Sequence, residues 1–213
     1  MAVKLPNGAT VHIATALAAE KKATVATNAA ECVLTVAGHG FANGDLVLFK
    51  SGWGKLNERV FQIGDVKTDT FKLAGIDTSN ADEFPAGSGI GAVQKITDWV
   101  QVSQIVEFST SGGEQQYVDF GFLEDDFDQQ IPSTKSAMSM SIKIADDTSL
   151  PGYKAAAKCS DKGGKWPLKV VLKGGGLICY NGYPSMNKTP ELVRNQVMAV
   201  TLSYAISGEV NRY

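Results

Sequence analysis

A mainly β fold is predicted by three observations: runs in which apolar and polar residues alternate with period two, glycine-rich turns between those runs, and only one segment after residue 100 with helical spacing. In the clearest run Met138, Met140, Ile142 and Ile144 fall on one side of a strand, with Ser139, Ser141 and Lys143 on the other. The same period puts Val100, Val102, Val106 and Phe108 on one face of an earlier strand, and Met198, Val200, Leu202, Tyr204 and Ile206 on one face of a late one. Leu168, Val170 and Leu172 alternate with Lys169 and Lys173, and Gly174-Gly175-Gly176 then turns the chain into a strand from Leu177 to Tyr183, completing a hairpin. The helical segment starts where Thr148 or Ser149 can cap it and takes Pro151 in its first turn. It puts Leu150, Tyr153 and Ala157 on one stripe and stops at Gly163-Gly164. One helix among antiparallel strands predicts a β-barrel or sandwich that uses the helix to cover an otherwise open side.

Residues 23–95 follow a different rhythm. Short strands are expected near Cys32 to Ala37, Asp45 to Phe49, Arg59 to Val66 and Thr70 to Ala74, with Asn43-Gly44-Asp45 and Lys67-Thr68-Asp69 as tight turns. The Gly/Ser-rich piece from Pro85 to Gly91 reads as a linker that closes this region. The expected organisation is therefore a β-barrel domain made of 1–22 and 96–213, interrupted by a small inserted β module at 23–95.

Composition narrows the function. Of 213 residues 44% are hydrophobic and 20% charged, the balance of a folding chain and not of a disordered one. Twenty basic residues against 22 acidic ones give a net charge of −2, so no summed positive field holds a phosphate backbone. No basic leader with a long apolar run and no stretch of ~20 apolar residues is present, so neither a secretion signal nor membrane insertion is expected. Cys32, Cys159 and Cys179 are widely separated and form no C-x-x-C pair, which reads as reduced structural thiols in a protein made in the cytoplasm.

Catalytic constellations are not found. The two histidines are His12, inside an expected strand, and His39, between Gly38 and Gly40, where a turn role outweighs a hydrolase base. No zinc spacing exists, and Glu124-Asp125-Asp126-Phe127-Asp128 lacks the glycine and the distal glutamate of a calcium loop. The glycine run at 174–176 lies between strands, whereas a phosphate cradle opens a helix. No enzyme activity, cofactor or metal is expected. The acidic run instead reads as part of a long solvated or interfacial loop, continuing through Gln129, Gln130, Ile131 and Pro132 without a strand pattern.

Two segments resemble known families. Gly38-His39-Gly40-Phe41, Asn43-Gly44-Asp45, Leu56-Asn57, Val60-Phe61, Thr70-Phe71 and Leu73 resemble the small β-barrel module first named from ubiquitin-activating enzymes and found inserted in phage structural proteins. Phe122 to Phe127, Pro132 to Met140, Ala145-Asp146-Asp147, Leu150 to Tyr153, Tyr180 to Tyr183 and the ending Ser207 to Tyr213 look like a tail tube protein of a long, non-contractile-tailed phage. That resemblance spans 98–213. It implies a β-barrel or sandwich with one flanking helix, six copies closing into a ring, and rings stacking into the tube through which the genome passes, with the inserted module outside.

The implied partners are further copies of the chain, a tail-tip initiator, a tape measure protein and a tail terminator. DNA enters only as transported cargo, and the implied place is the virion tail after assembly in the host cytoplasm. The acidic loop from Gly121 to Ser136 matches the family's long hairpin loop in position, so Glu124, Asp125, Asp126, Phe127, Asp128, Gln129 and Gln130 are the candidate ring-to-ring contacts. Asp119 joins the carboxylates as a candidate for the lumen, where negative charge would repel phosphates. The alternative is a β-sandwich module binding host-surface glycans, for which Trp53 in the exposed-looking Gly52-Trp53-Gly54 turn is the candidate contact; a terminator ring stays open as a relative of the tube.

Overall fold

The computed structural model describes residues 7–213, so the first six residues of the expected barrel domain lie outside the described part. The early chain forms β1 (Thr10–Leu17), β2 (Lys21–Ala23), β3 (Val25–Ala26), β4 (Val33–Thr35), β5 (Leu46–Ser51), β6 (Arg59–Gly64) and β7 (Thr70–Leu73). There follow β8 (Gly91–Val102), β9 (Ile105–Ser111), β10 (Gln115–Phe120), β11 (Gln129–Lys135), β12 (Ser139–Ala145) and the helix α1 (Pro151–Lys162). The chain ends with β13 (Trp166–Val171), β14 (Leu177–Glu191), β15 (Ala199–Ile206) and β16 (Asn211–Arg212). The fold is mainly β, with one connected sheet ordered β3-β4-β7-β6-β5-β8-β1-β13-β14-β15-β12-β9 and a separate two-stranded ribbon, β10-β11.

Alternation explains the late strands. Met140, Ile142 and Ile144 of β12 stand directly across from Tyr204, Leu202 and Val200 of β15, all six buried on one face. With Val11, Ile13, Val102, Leu168, Val170 and Tyr180 they make a core onto which α1 lays Ala155, Ala156 and Cys159. The β13–β14 hairpin forms as the glycine run requires, with Leu172 N–H donating to Gly176 O at 2.7 Å.

Two late elements differ from expectation. The strand expected through Val100 to Phe108 is broken: Gln104 takes a φ of 57°, β8 stops at Val102, and Val106 falls in an irregularity of the β9–β12 register. Val106 is 60% exposed and Phe108 37% exposed, because β9 is the last strand of the sheet and nothing covers it among the described residues. The helix is not capped by Thr148 or Ser149. Ser149 is occupied in a turn, its N–H and hydroxyl both donating to Asp147 Oδ1, and Leu150 sits at the N-cap without a side-chain bond. Its buried stripe is Gly152, Ala155, Ala156 and Cys159, while Tyr153 and Ala157 lie at the margin of the core.

The early strands build a second core from Leu34, Val36, Val47, Phe49, Trp53, Leu56, Phe61, Ile63, Phe71 and Leu73. Along β5, Val47 and Phe49 enter that core, whereas Leu46 and Leu48 face the other way and meet Ala14, Ile96 and Cys179 in a third cluster. β5 is thus buried on both faces, which is why Leu46-Val47-Leu48-Phe49 is an unbroken apolar run. The piece from Pro85 to Gly91 does not act as a linker. It packs over Trp53, whose Nε1–H donates to Pro85 O at 2.9 Å, and Gly91 already belongs to β8.

Polar bonds close the same seam. β16 pairs with β14, which sets Asn211 beside β6, where its Nδ2–H donates to Val60 O at 2.5 Å and its Oδ1 accepts from Arg59. Gln62 N–H donates to the Tyr213 hydroxyl at 3.0 Å, and Asn181 donates to Glu58 O at 2.7 Å.

Candidate assembly surface

The β10–β11 ribbon leaves the sheet between β9 and β12. Its exit is shaped by Gly112, φ +81°, where an added Cβ would stand 1.9 Å from Ala137 O, so no larger residue fits this turn. At the base Ser136 N–H donates to Glu114 O at 2.8 Å. Register runs from Gln115 opposite Lys135 to Phe120 opposite Gln129. The tip is closed by a reciprocal turn, Asp125 N–H to Phe122 O at 3.0 Å and Phe122 N–H to Asp125 Oδ2 at 3.1 Å.

The stretch expected to lack a strand pattern is therefore half strand. Every residue of β11 is exposed, so both faces are wet and no alternation arises to be read. Glu124, Asp125, Asp126, Phe127 and Asp128 lie together in the tip, Gln129 and Gln130 begin β11, and Gln130 donates to Asp119 on the facing strand at 2.8 Å. The ribbon also exposes Tyr117, Val118, Phe122, Leu123, Phe127 and Ile131, with Phe127 at 74%. Such an apolar concentration on an exposed element makes the ribbon a candidate interaction surface.

One polar tie joins the ribbon's base to the body: Lys135 Nζ meets Glu209 Oε1 at 2.7 Å, and Glu209 also lies 3.7 Å from Arg59 Nη1. Lys135 above all, with Arg59 behind it, lowers the Glu209 carboxyl from its ordinary value.

A second exposed apolar segment was not foreseen. Leu192, Val193, Val197 and Met198, in the turn between β14 and β15, are all exposed, and Val193 and Val197 share a groove with Val106 of β9. The sequence assigned Met198 to the inner face of the late strand, but β15 begins only at Ala199. The available signal was Leu192-Val193-Arg194-Asn195-Gln196-Val197-Met198 itself, apolar residues without period two beside a strand end.

The structure corrects the exposure expected for Trp53. It is 2% exposed, stacked edge-on to Phe84 at 5.3 Å with Gly89 against its ring, and it offers no face to a glycan. His39 is also buried: Nδ1 accepts from Phe41 N–H and Nε2–H donates to Lys67 O, both at 2.9 Å, which occupies both ring nitrogens in holding a turn. All three thiols are free and buried, and burial pushes Cys32 up to about 11 and Cys179 to about 12. Among the described residues no helix is long and apolar enough to cross a membrane.

A model of the phage tail tube protein family matches residues 51–213, three quarters of the chain. The chain belongs to that family. As a tail tube family protein it is a structural component of a phage virion, and the ribbon and the β9 edge lie within the matched residues. Among solved structures it is similar to a chain in the cryo-EM, six-fold symmetrised baseplate of the anti-feeding prophage, at 12% identity and a TM-score of 0.40, over 55% of this chain and 85% of that one. A likeness so distant carries no statement about assembly. No curated protein matches in sequence. The family match takes in only part of the early β module, and the likeness of Gly38 to Leu73 to the ubiquitin-activating-enzyme module has no support in these comparisons.

Proposed function

We propose that this tail tube family protein is the tube-forming subunit itself, with six copies closing into a ring and rings stacking through the β10–β11 ribbon into a conduit for the genome. The observation that carries the reading is the ribbon, which leaves six large apolar residues exposed on an element outside the main sheet. The unpaired β9 edge supplies the lateral contact: a strand offering free N–H and C=O groups pairs with a neighbouring copy, and ring closure hides every such edge. Assembly takes place in the host cytoplasm and ends in the virion, with a tail-tip initiator, a tape measure protein and a terminator as partners, and the module at 23–95 outside the tube. DNA passes as cargo, and the net charge of −2 gives the subunit no field to hold it.

The test is negative-stain electron microscopy of the concentrated protein beside a variant lacking residues 124–130. Hollow tubes of uniform width from the intact chain, and folded but unassembled subunits from the deletion, are the expected result. Unfolding of the deletion variant, or tubes made without the tip, would overturn the reading.

A further inference from the structure

The ribbon and the helix have opposite charge characters, and neither is neutralised within the subunit. Between Gly112 and Thr134 the chain has six carboxylates, Glu114, Asp119, Glu124, Asp125, Asp126 and Asp128, and no basic residue. With Lys135 at the end of β11 the ribbon sets six carboxylates against one lysine, and since the chain has 22 carboxylates and 20 basic residues the remainder carries 16 against 19, so a ribbon of −5 stands on a body of +3.

Part of that positive charge is ordered in a row. Lys154, Lys158 and Lys162, one turn apart on α1, are all exposed, and no salt-bridge partner is found for any of them among the described residues. Of the carboxylates nearest in sequence, Asp161 is held by Lys188 at 2.6 and 2.8 Å, Asp147 holds Ser149, and Asp146 lies beside Tyr153, so none pairs with the lysine row. Beside the lysines Tyr153 and Ala157 floor a shallow groove, an apolar seat next to fixed positive charge.

From this complementarity we infer that the helix face carrying Lys154, Lys158 and Lys162 is the surface on which a second copy of the chain seats its ribbon tip. The carboxylates of Glu124 to Asp128 meet the lysine row, and Phe122 or Phe127 enters the groove beside Tyr153. Opposite surfaces on one chain make a head-to-tail contact, which propagates into a stack and does not stop at a dimer. The inference rests on the tube reading and adds to it the receiving surface. Steering between unlike charges sets register and is weakened by salt, so stacking of the intact chain falls as ionic strength rises.

A charge-swap experiment decides it, with tube yield read by sedimentation and electron microscopy. K154E/K158E/K162E and E124K/D125K/D126K/D128K each lower the yield by about tenfold or more at low salt. Mixed in equal amounts the two variants assemble again, because each supplies the surface the other lacks, and both sets of changes in one chain also restore tubes. The neutral variant K154Q/K158Q/K162Q, with its thermal unfolding compared with that of the intact chain, separates lost docking from lost folding. Full assembly of the lysine-reversed chain while the chain lacking 124–130 stays unassembled would place the receiving surface elsewhere and leave the tube reading standing. An intact chain that never assembles would end that reading and this inference together.

Discussion

Arg59 donates a hydrogen bond from Nη2 to Asn211 Oδ1, joining residues 152 positions apart in the chain across a buried seam. The same guanidinium donates to Lys55 O at 2.8 Å and leaves Nε without a partner, so Asn211, the Lys55 carbonyl, the Phe61 ring at 5.5 Å and the distant Glu209 together offset its removal from water. Asn211→Ala leaves both Arg59 Nη2 and the Val60 carbonyl unsatisfied. We expect a loss of about 1–3 kcal/mol, measured as a lowered urea midpoint with an unchanged slope.

Trp53 fills the centre of the early β core, bonded to Pro85 and stacked on Phe84. Trp53→Ala should cost about 3–5 kcal/mol, visible in thermal unfolding. A variant as stable as the intact chain would mean that the ring does not hold this core.

Gly152 runs against the usual helix rule. In an exposed helix glycine to alanine stabilises, but here a Cβ would stand 2.3 Å from Gln101 O and 2.8 Å from Val102 Cα, where α1 rests on β8. Gly152→Ala should therefore destabilise by about 1–3 kcal/mol, since neither contact is a flexible side chain that can step aside. Denaturant unfolding measures it.

Burial raises Cys32 to about 11, Cys179 to about 12 and Tyr213 to about 12. Each group ionises first in the unfolded chain, so the folded state keeps its full stability below pH ~9 and loses it as pH climbs toward 12. Urea midpoints taken between pH 8 and about 11.5 should fall steadily above 9, and Cys179→Ala should make that fall shallower whatever it does to the midpoint at pH 8. The native thiols should also resist alkylation until the chain unfolds, because the reactive thiolate is scarce.

Legibility in the sequence followed exposure. Met140, Ile142, Ile144 and Val200, Leu202, Tyr204 were readable because one face of each strand is buried and the other is not, the condition under which period two appears. β11 was missed because both its faces are wet, and Leu46 to Phe49 gave a strand but no hint of two cores because both its faces are dry. Trp53 was misplaced by the glycines on either side of it, which allow a tight turn but do not say which way the side chain points. The acidic tip was legible as composition alone. The lysine row on α1 stands in the sequence at the spacing of one helical turn, but that none of the three has a carboxylate partner among the described residues, Lys162 resting instead over the Trp166 ring at 5.3 Å, is visible only in coordinates.

β8 has a mechanical consequence. It enters from the early β module, where Val93 pairs with Lys21 and Phe49, and runs on without a break to Val102 opposite Val11. A load applied to the early strands is then borne in shear along the β1–β8 ladder, which is regular from Val11 to Ala14 and shifts register between Ala14 and Leu17. The module moves with its subunit as a spoke moves with its hub. Whatever displaces the early strands is felt at β1, whose Val11 and Ile13 sit in the core of the late strands.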